Sequence, residues 1–190
     1  NEMHHWNPVV ALMPLLLAGC VGIDLPFDGL PTSVKGSGVM VEEQRQVESF
    51  EEIEITGAIE GIVRVGDAQS VVVSGDDNIV ALVETTVSGD RLSVGYPSNT
   101  SVNPTRRILV EVTVPALGAA YASGASTLSV EGLEAKNARI EASGASRMTV
   151  SGAASELAVS ASGASRVDAA GLRAQVASVA ASGASNVEVD

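Results

Sequence analysis

Ser123-Gly124-Ala125-Ser126 decides how this chain is read, because the phrase returns as Ser143-Gly144-Ala145-Ser146, Ser162-Gly163-Ala164-Ser165 and Ser182-Gly183-Ala184-Ser185. The spacings are 20, 19 and 20 residues, and self-similarity at a period near 20 marks a stacked-repeat architecture. Inside each unit the period is two. From Ile140, every second residue is small or apolar through Ala142, Gly144, Ser146, Met148 and Val150. The same parity gives Val159, Ala161, Gly163, Ser165 and Val167, then Val179, Ala181, Gly183, Ser185 and Val187. The residues between them include Glu141, Arg147, Thr149, Arg166, Asp168 and Glu188. Alternation of this kind predicts strands with one buried face.

Both periods are satisfied by an all-β fold, a parallel β-helix with about 20 residues per coil, and that is the expected architecture. Twenty residues at about 3.3 Å each give a perimeter of about 65 Å. The interior is then narrow and suits Ala, Ser, Gly and medium aliphatics, in keeping with an aromatic content of 3%. The inward serines Ser126, Ser146, Ser165 and Ser185 are expected to stack and hydrogen-bond along their own ladder. The glycines at 124, 144, 163 and 183 permit a bend or a close backbone approach.

Upstream, residues 39–114 hold longer, less regular strands, expected to form irregular N-terminal coils that cap the solenoid. Gly89-Asp90 is a hairpin-like turn, residues 96–105 form a loop by composition, and no segment has a convincing helical pattern. Residues 21–38 contain two prolines and four glycines without periodicity and are read as a flexible tether, leaving 39–190 as the β-helix domain. The last unit stops at Asp190, ten residues into its coil. That is read as a record that stops short of the native end, with self-association through the C-terminal solenoid end as the other reading.

Residues 1–20 are read as a lipoprotein signal peptide. The apolar stretch from Val9 to Gly19 is too short to cross a bilayer, which takes about 20 residues, and it ends in Leu17-Ala18-Gly19-Cys20. This resembles the bacterial lipobox, whose cysteine carries a diacylglyceryl group, so Cys20 is the candidate lipidation site. The segment before it departs from the usual pattern in having no Lys or Arg, only His4 and His5. By the same resemblance, Val21 in place of an Asp after the cysteine points to the outer membrane, on its periplasmic or surface face.

Chemistry is restricted by what a chain cleaved before Cys20 would contain: no histidine, no tryptophan, and Lys35 and Lys136 as its only lysines. A serine nucleophile needs a base, so the serines are read as structural and no catalytic residue is assigned. A polysaccharide-cleaving pair of carboxylates is the distant alternative. Gly75-Asp76-Asp77-Asn78 offers hard oxygen ligands but is read as a turn, with no metal and no cofactor. The net charge of −12 argues against nucleic acid as a partner.

An ordered series is more specific than any of these pieces. It comprises Gly36-Ser37-Gly38, Arg45-Gln46-Val47 with Phe50 and Ile53, Gly75-Asp76-Asp77-Asn78, Val112-Thr113-Val114-Pro115-Ala116-Leu117 and the Ser-Gly-Ala-Ser repeats. Across residues 36–190 it resembles the "putative auto-transporter adhesin, head GIN domain" family. The resemblance implies a right-handed β-helix in an exported bacterial envelope protein, commonly a lipoprotein. The expected role is a non-catalytic adhesin or surface-binding module. Its candidate partners are the membrane through the lipid anchor, and a glycan or an envelope protein on the outward face with Thr127, Ser129, Arg147, Thr149, Arg166 and Asp168. A structural or signalling envelope component without a ligand of its own is the alternative.

Overall fold

A computed structural model describes residues 32–189. The assignments to Cys20 and to the signal peptide lie outside the described residues. The described residues are all-β apart from one helical turn. The strands are β1 (Thr32–Lys35), β2 (Met40–Arg45), β3 (Glu52–Ile55), β4 (Ile59–Val65) and β5 (Ser70–Asp76). After α1 (Asp77–Val80) come β6 (Glu84–Ser88), β7 (Arg91–Gly95), β8 (Thr100–Asn103), β9 (Ile108–Val114) and β10 (Ala119–Ala122). Then follow the long β11 (Thr127–Ala142), β12 (Arg147–Ala161) and β13 (Arg166–Ala181), and a short β14 (Asn186–Val189).

The expected parallel β-helix is not the architecture. Twelve strands make one sheet of mixed order, β2-β5-β9-β4-β11-β10-β3-β7-β6, with β12, β13 and β14 added beside β11. Pairs β2–β5, β5–β9 and β6–β7 are antiparallel. The sheet curls until it is a nearly closed barrel-like wall. One half of β11 pairs with β4 and the other with β10, β10 pairs with β3, and β3 runs into β4 through the bend at 56–58. The reason is local. Hairpin-type reversals in residues 66–118 turn strands back on themselves, and a uniform coil cannot accommodate them. Gly89-Asp90 is one, joining β6 to β7.

Within residues 119–189 the pairs are parallel and offset by the repeat length. The Ser-Gly-Ala-Ser phrases are the corners between strands, not strand interior. Each corner hydrogen-bonds to the one before it: Ala145 N–H donates to Gly124 O at 2.7 Å, and Ala164 to Gly144 O and Ala184 to Gly163 O at 2.8 Å. A Cβ on Gly144, Gly163 or Gly183 would lie 2.7 Å from the preceding corner's carbonyl oxygen, and the φ angles are +70° to +72°. Only glycine meets both conditions. The serine hydroxyls do not bond to one another as expected. Those of Ser126, Ser146, Ser165 and Ser185 donate to the main-chain carbonyls of Ile55, Ala122, Ala142 and Ala161 at 3.3, 3.2, 3.3 and 3.2 Å. A buried hydroxyl is thereby satisfied by an acceptor with a spare lone pair.

The 19-residue spacing also has a structural cause. β12 has 15 residues where β11 and β13 have 16. The deficit is absorbed beside Ser151 and Gly152, where the register shifts against both neighbours. Gly152 is aligned with the buried Leu133 and Leu172, has φ +139°, and a Cβ there would fall 2.0 Å from Leu133 O.

Two further segments differ from expectation. Thr32–Lys35, inside the stretch read as a tether, pairs in parallel with Thr100–Asn103, inside the stretch read as a loop. Both are too short and too polar on their flanks for alternation to mark them.

Gly152→Ala is expected to lower stability by more than about 2 kcal/mol, because strain and a main-chain collision coincide. Gly132 also has positive φ, but its added Cβ would meet nothing closer than 3.9 Å. Gly132→Ala should therefore cost only about 1–2 kcal/mol. Thermal melts of the two variants check this ranking, and equal losses would refute the collision.

Candidate functional site

Two places concentrate polar chemistry. The first is Gly75-Asp76-Asp77-Asn78, where β5 ends and α1 begins. Asp76 has no solvent exposure. Its carboxylate accepts from Gly38 N–H at 2.7 Å, Thr105 N–H at 2.8 Å and Thr105 Oγ1 at 2.6 Å. The Thr105 hydroxyl, with main-chain donors of Thr105, Gly38 and Arg106, holds its pKa below the ordinary 3.8 in spite of burial. Asp77 accepts from the Ser37 hydroxyl. The Asn78 side chain accepts from Ser37 N–H at 2.9 Å and donates to Lys35 O at 2.8 Å. The motif is therefore a clasp that fixes residues 35–39 and the 104–106 loop to the end of β5. Donors surround the carboxylate, which is the environment of a bound anion, not of a cation's ligand. Among the described residues no group of three or more His, Cys, Asp or Glu is placed to hold a metal.

The second place is the outer surface. Because the repeats pair in register, outward side chains line up in columns. The face read from the sequence is present. Thr127, Arg147 and Arg166 form one column with Asn186, and Ser129, Thr149 and Asp168 form the next with Glu188. A cavity of about 440 Å³ touches it at Thr127, between the 104–107 loop and the start of β4. The larger feature lies on the other half of the same long strands, which the sequence reading did not select. Arg91, Glu52, Ala119, Arg139, Ala158 and Ser178 form one outward column. Ser93, Glu54, Tyr121, Glu141, Ser160 and Ala180 form the column beside it. Asn137, Glu156 and Val176 form a third on the opposite side.

In the middle column Ala119, Ala158 and Ser178 are small and make the floor of a trough of about 520 Å³. Arg139, between Ala119 and Ala158, is long and pairs with Glu141 at 3.6 Å. At one end Arg91 pairs with Glu52 at 2.9 Å, reaches Glu54 at 4.0 Å, and lies 4.0 Å above the centre of the Tyr121 ring. The hydrogen bond to Glu52 raises the Arg91 pKa above its ordinary value, so the cation over the ring is permanent. At the other end Val176, an outward aliphatic, is 63% exposed. The trough crosses β3, β10, β11, β12 and β13, about 19 Å at the usual spacing between strands.

Tyr121 was visible as an aromatic, but its partners come from strands 30 to 70 residues away in the chain and give no local signal. The repeat itself could have found the trough. Applying the repeat offset to Tyr121 returns Glu141, Ser160 and Ala180, which is the observed column. The repeat serines bring no chemistry together. Ser126, Ser146 and Ser165 are buried and bonded to main chain, and Ser123, Ser143, Ser162 and Ser182 sit at corners beside the glycines. Among the described residues no helix is long and apolar enough to cross a membrane.

Known proteins agree with the fold. The crystal structure of a putative adhesin from Bacteroides fragilis superposes with a TM-score of 0.68 at 18% identity, covering 81% of each chain. A putative lipid binding protein from Parabacteroides distasonis gives 0.62 at 15% identity, covering 83% of this chain and 85% of that one. A putative adhesin from Parabacteroides merdae gives 0.61 at 17%, covering 83% and 84%. No curated protein matches the chain.

The clasp carries a pH test. With its folded pKa depressed, Asp76 stabilises the fold fully above the ordinary carboxylate value, and the contribution is lost as pH falls through the lower folded value. Hydrogen exchange should show residues 35–39 protected near neutral pH and opening only as pH falls below the ordinary carboxylate value. Asp76→Asn should open them at neutral pH and flatten the dependence; protection unchanged in the variant would refute the clasp. The family model that matches residues 49–190 covers most of the sequence, and the chain belongs to the family described as "Putative auto-transporter adhesin, head GIN domain".

Proposed function

We propose that this protein is a non-catalytic lipoprotein of the bacterial envelope that acts as an adhesin-type binding module through the outer face of its sheet. The trough beside Tyr121 carries the reading. It is the place where an aromatic ring, planar hydrogen-bonding side chains and an exposed aliphatic meet on the outer face of the sheet. A fixed aromatic with adaptable polar neighbours is the usual make-up of a recognition surface.

Support for a non-catalytic role comes from the residue inventory. Both histidines and the one cysteine precede residue 21. The buried serines donate to carbonyl oxygens instead of lying beside a base. Support for export comes from the family and from the Leu17-Ala18-Gly19-Cys20 motif. The anchor would place the trough at a membrane face without a spanning helix, since several acyl chains suffice to hold a protein there.

Cys20→Ala should move the protein from the membrane fraction to the soluble fraction, read by fractionation and by loss of the lipid mass; membrane retention in the variant removes the anchor. In the same preparation, incubation with neutral and acidic polysaccharides should release no reducing ends. Saturable capture from envelope extracts should be seen, and turnover in place of capture would overturn the binding-module reading.

A further inference from the structure

We infer that the trough binds a linear, uncharged glycan chain laid across the strands, parallel to the columns. The inference rests on the binding-module reading above and assigns that module its ligand class.

The floor of the trough does not suit the other polymer most often bound by sheets. A peptide that adds to a sheet does so at an edge, by main-chain hydrogen bonds. Beyond Ala169 the outer edge of β13 is open, but over the floor the main-chain groups of β10, β11 and β12 are consumed by pairing on both sides. Only side chains are left there to make contacts. Those available are Asn137, Glu156, Arg139 and Ser178 above a floor of Ala119 and Ala158, with Tyr121 alongside. Planar amide, carboxylate and guanidinium groups each offer two hydrogen-bonding atoms in one plane, which matches neighbouring hydroxyls on a sugar ring. The small aliphatic side chains of the floor suit the C–H face of the same ring.

The electrostatics select against charge. Glu52 is neutralised by Arg91, and Arg139 by Glu141. Glu156 has no ion-pair partner among the described residues. Glu54 shares Arg91 with Glu52, so the trough is acidic, with Glu52, Glu54, Glu141 and Glu156 against Arg91 and Arg139, on a chain of net charge −12. A polyanionic glycan would be repelled both at long range and at the site. The floor continues over about 19 Å without a closing wall at the Val176 end, so a chain fits better than a single sugar.

The test uses the full chain carrying Cys20→Ala. It is titrated by calorimetry with neutral cello-, manno- and xylo-oligosaccharides, with polygalacturonate oligomers and with an extended apolar peptide. Saturable binding of a neutral oligosaccharide that tightens with chain length is expected. Ala158→Arg, which fills the floor from an exposed position, should weaken it at least about tenfold. Ser178→Arg should do the same as an independent variant, and Thr149→Arg on the other face should leave it unchanged. Unaltered melting temperatures establish that the variants fold.

Neutral-glycan binding that survives both floor variants overturns the assignment to the trough. Preference for polygalacturonate, or for the peptide, overturns the ligand class. If no glycan binds but envelope capture persists and Ala158→Arg abolishes it, the glycan inference fails and the binding module stands. If neither glycan nor envelope material binds, both fail together.

Discussion

The closest approach of backbone to backbone at the Ser-Gly-Ala-Ser corners governs the rest of the structure. Successive corners sit so near that the amide of one donates to the glycine carbonyl of the last at 2.7–2.8 Å. A β-carbon on those glycines would share space with that oxygen. This contact sets the separation and the register of everything that follows along β11, β12 and β13. A one-residue slip would turn each inward aliphatic outward. The corner serines help to hold the register, because their hydroxyls reach specific carbonyls on the preceding turn of chain.

Register at the corners has a second effect on the outside. Residues that are unremarkable singly become rows: a row holding small residues, flanked by a row with a ring and a row of amide and carboxylate groups. The trough is therefore a by-product of repeat registration combined with three substitutions in size. Ala119, Ala158 and Ser178 are short where Arg139 is long, and Arg139 pairs with Glu141. That ion pair is exposed, and such pairs contribute little to stability.

The sequence made the C-terminal half legible and the N-terminal half much less so. Alternation and a fixed period are properties of neighbouring residues, and residues 119–189 express both. The mixed order of β2, β5, β9 and β4 depends on which distant strands meet, and nothing in Val71, Val73 or Val110 says whether a partner runs parallel or antiparallel. The same limit applies to Gly75-Asp76-Asp77-Asn78. Its residue types fit a turn, a calcium loop or a clasp equally well. The donors that decide among them sit on Ser37, Gly38 and Thr105, some 30 to 40 residues away. Of the trough, the members contributed by repeats follow from the offset, whereas Arg91 over Tyr121 does not.

The narrowness of the interior bears on where any ligand can go. Inward side chains crowd one another: a β-carbon on Gly61 would lie 3.0 Å from Leu128 on the neighbouring strand and 3.1 Å from Ile55. The core is one continuous cluster of Ile, Val, Leu and Ala, packed as interiors are, without room for a guest. Closed barrels of larger girth hold their ligands inside. Here that option is removed by the inward aliphatic rows, which fill the interior. The buried serine hydroxyls are spent on carbonyls, and Asp76 on main-chain amides and Thr105. Any ligand would thereby be left to side chains on the outer face, whose positions are fixed by the same corner contacts that set the register inside.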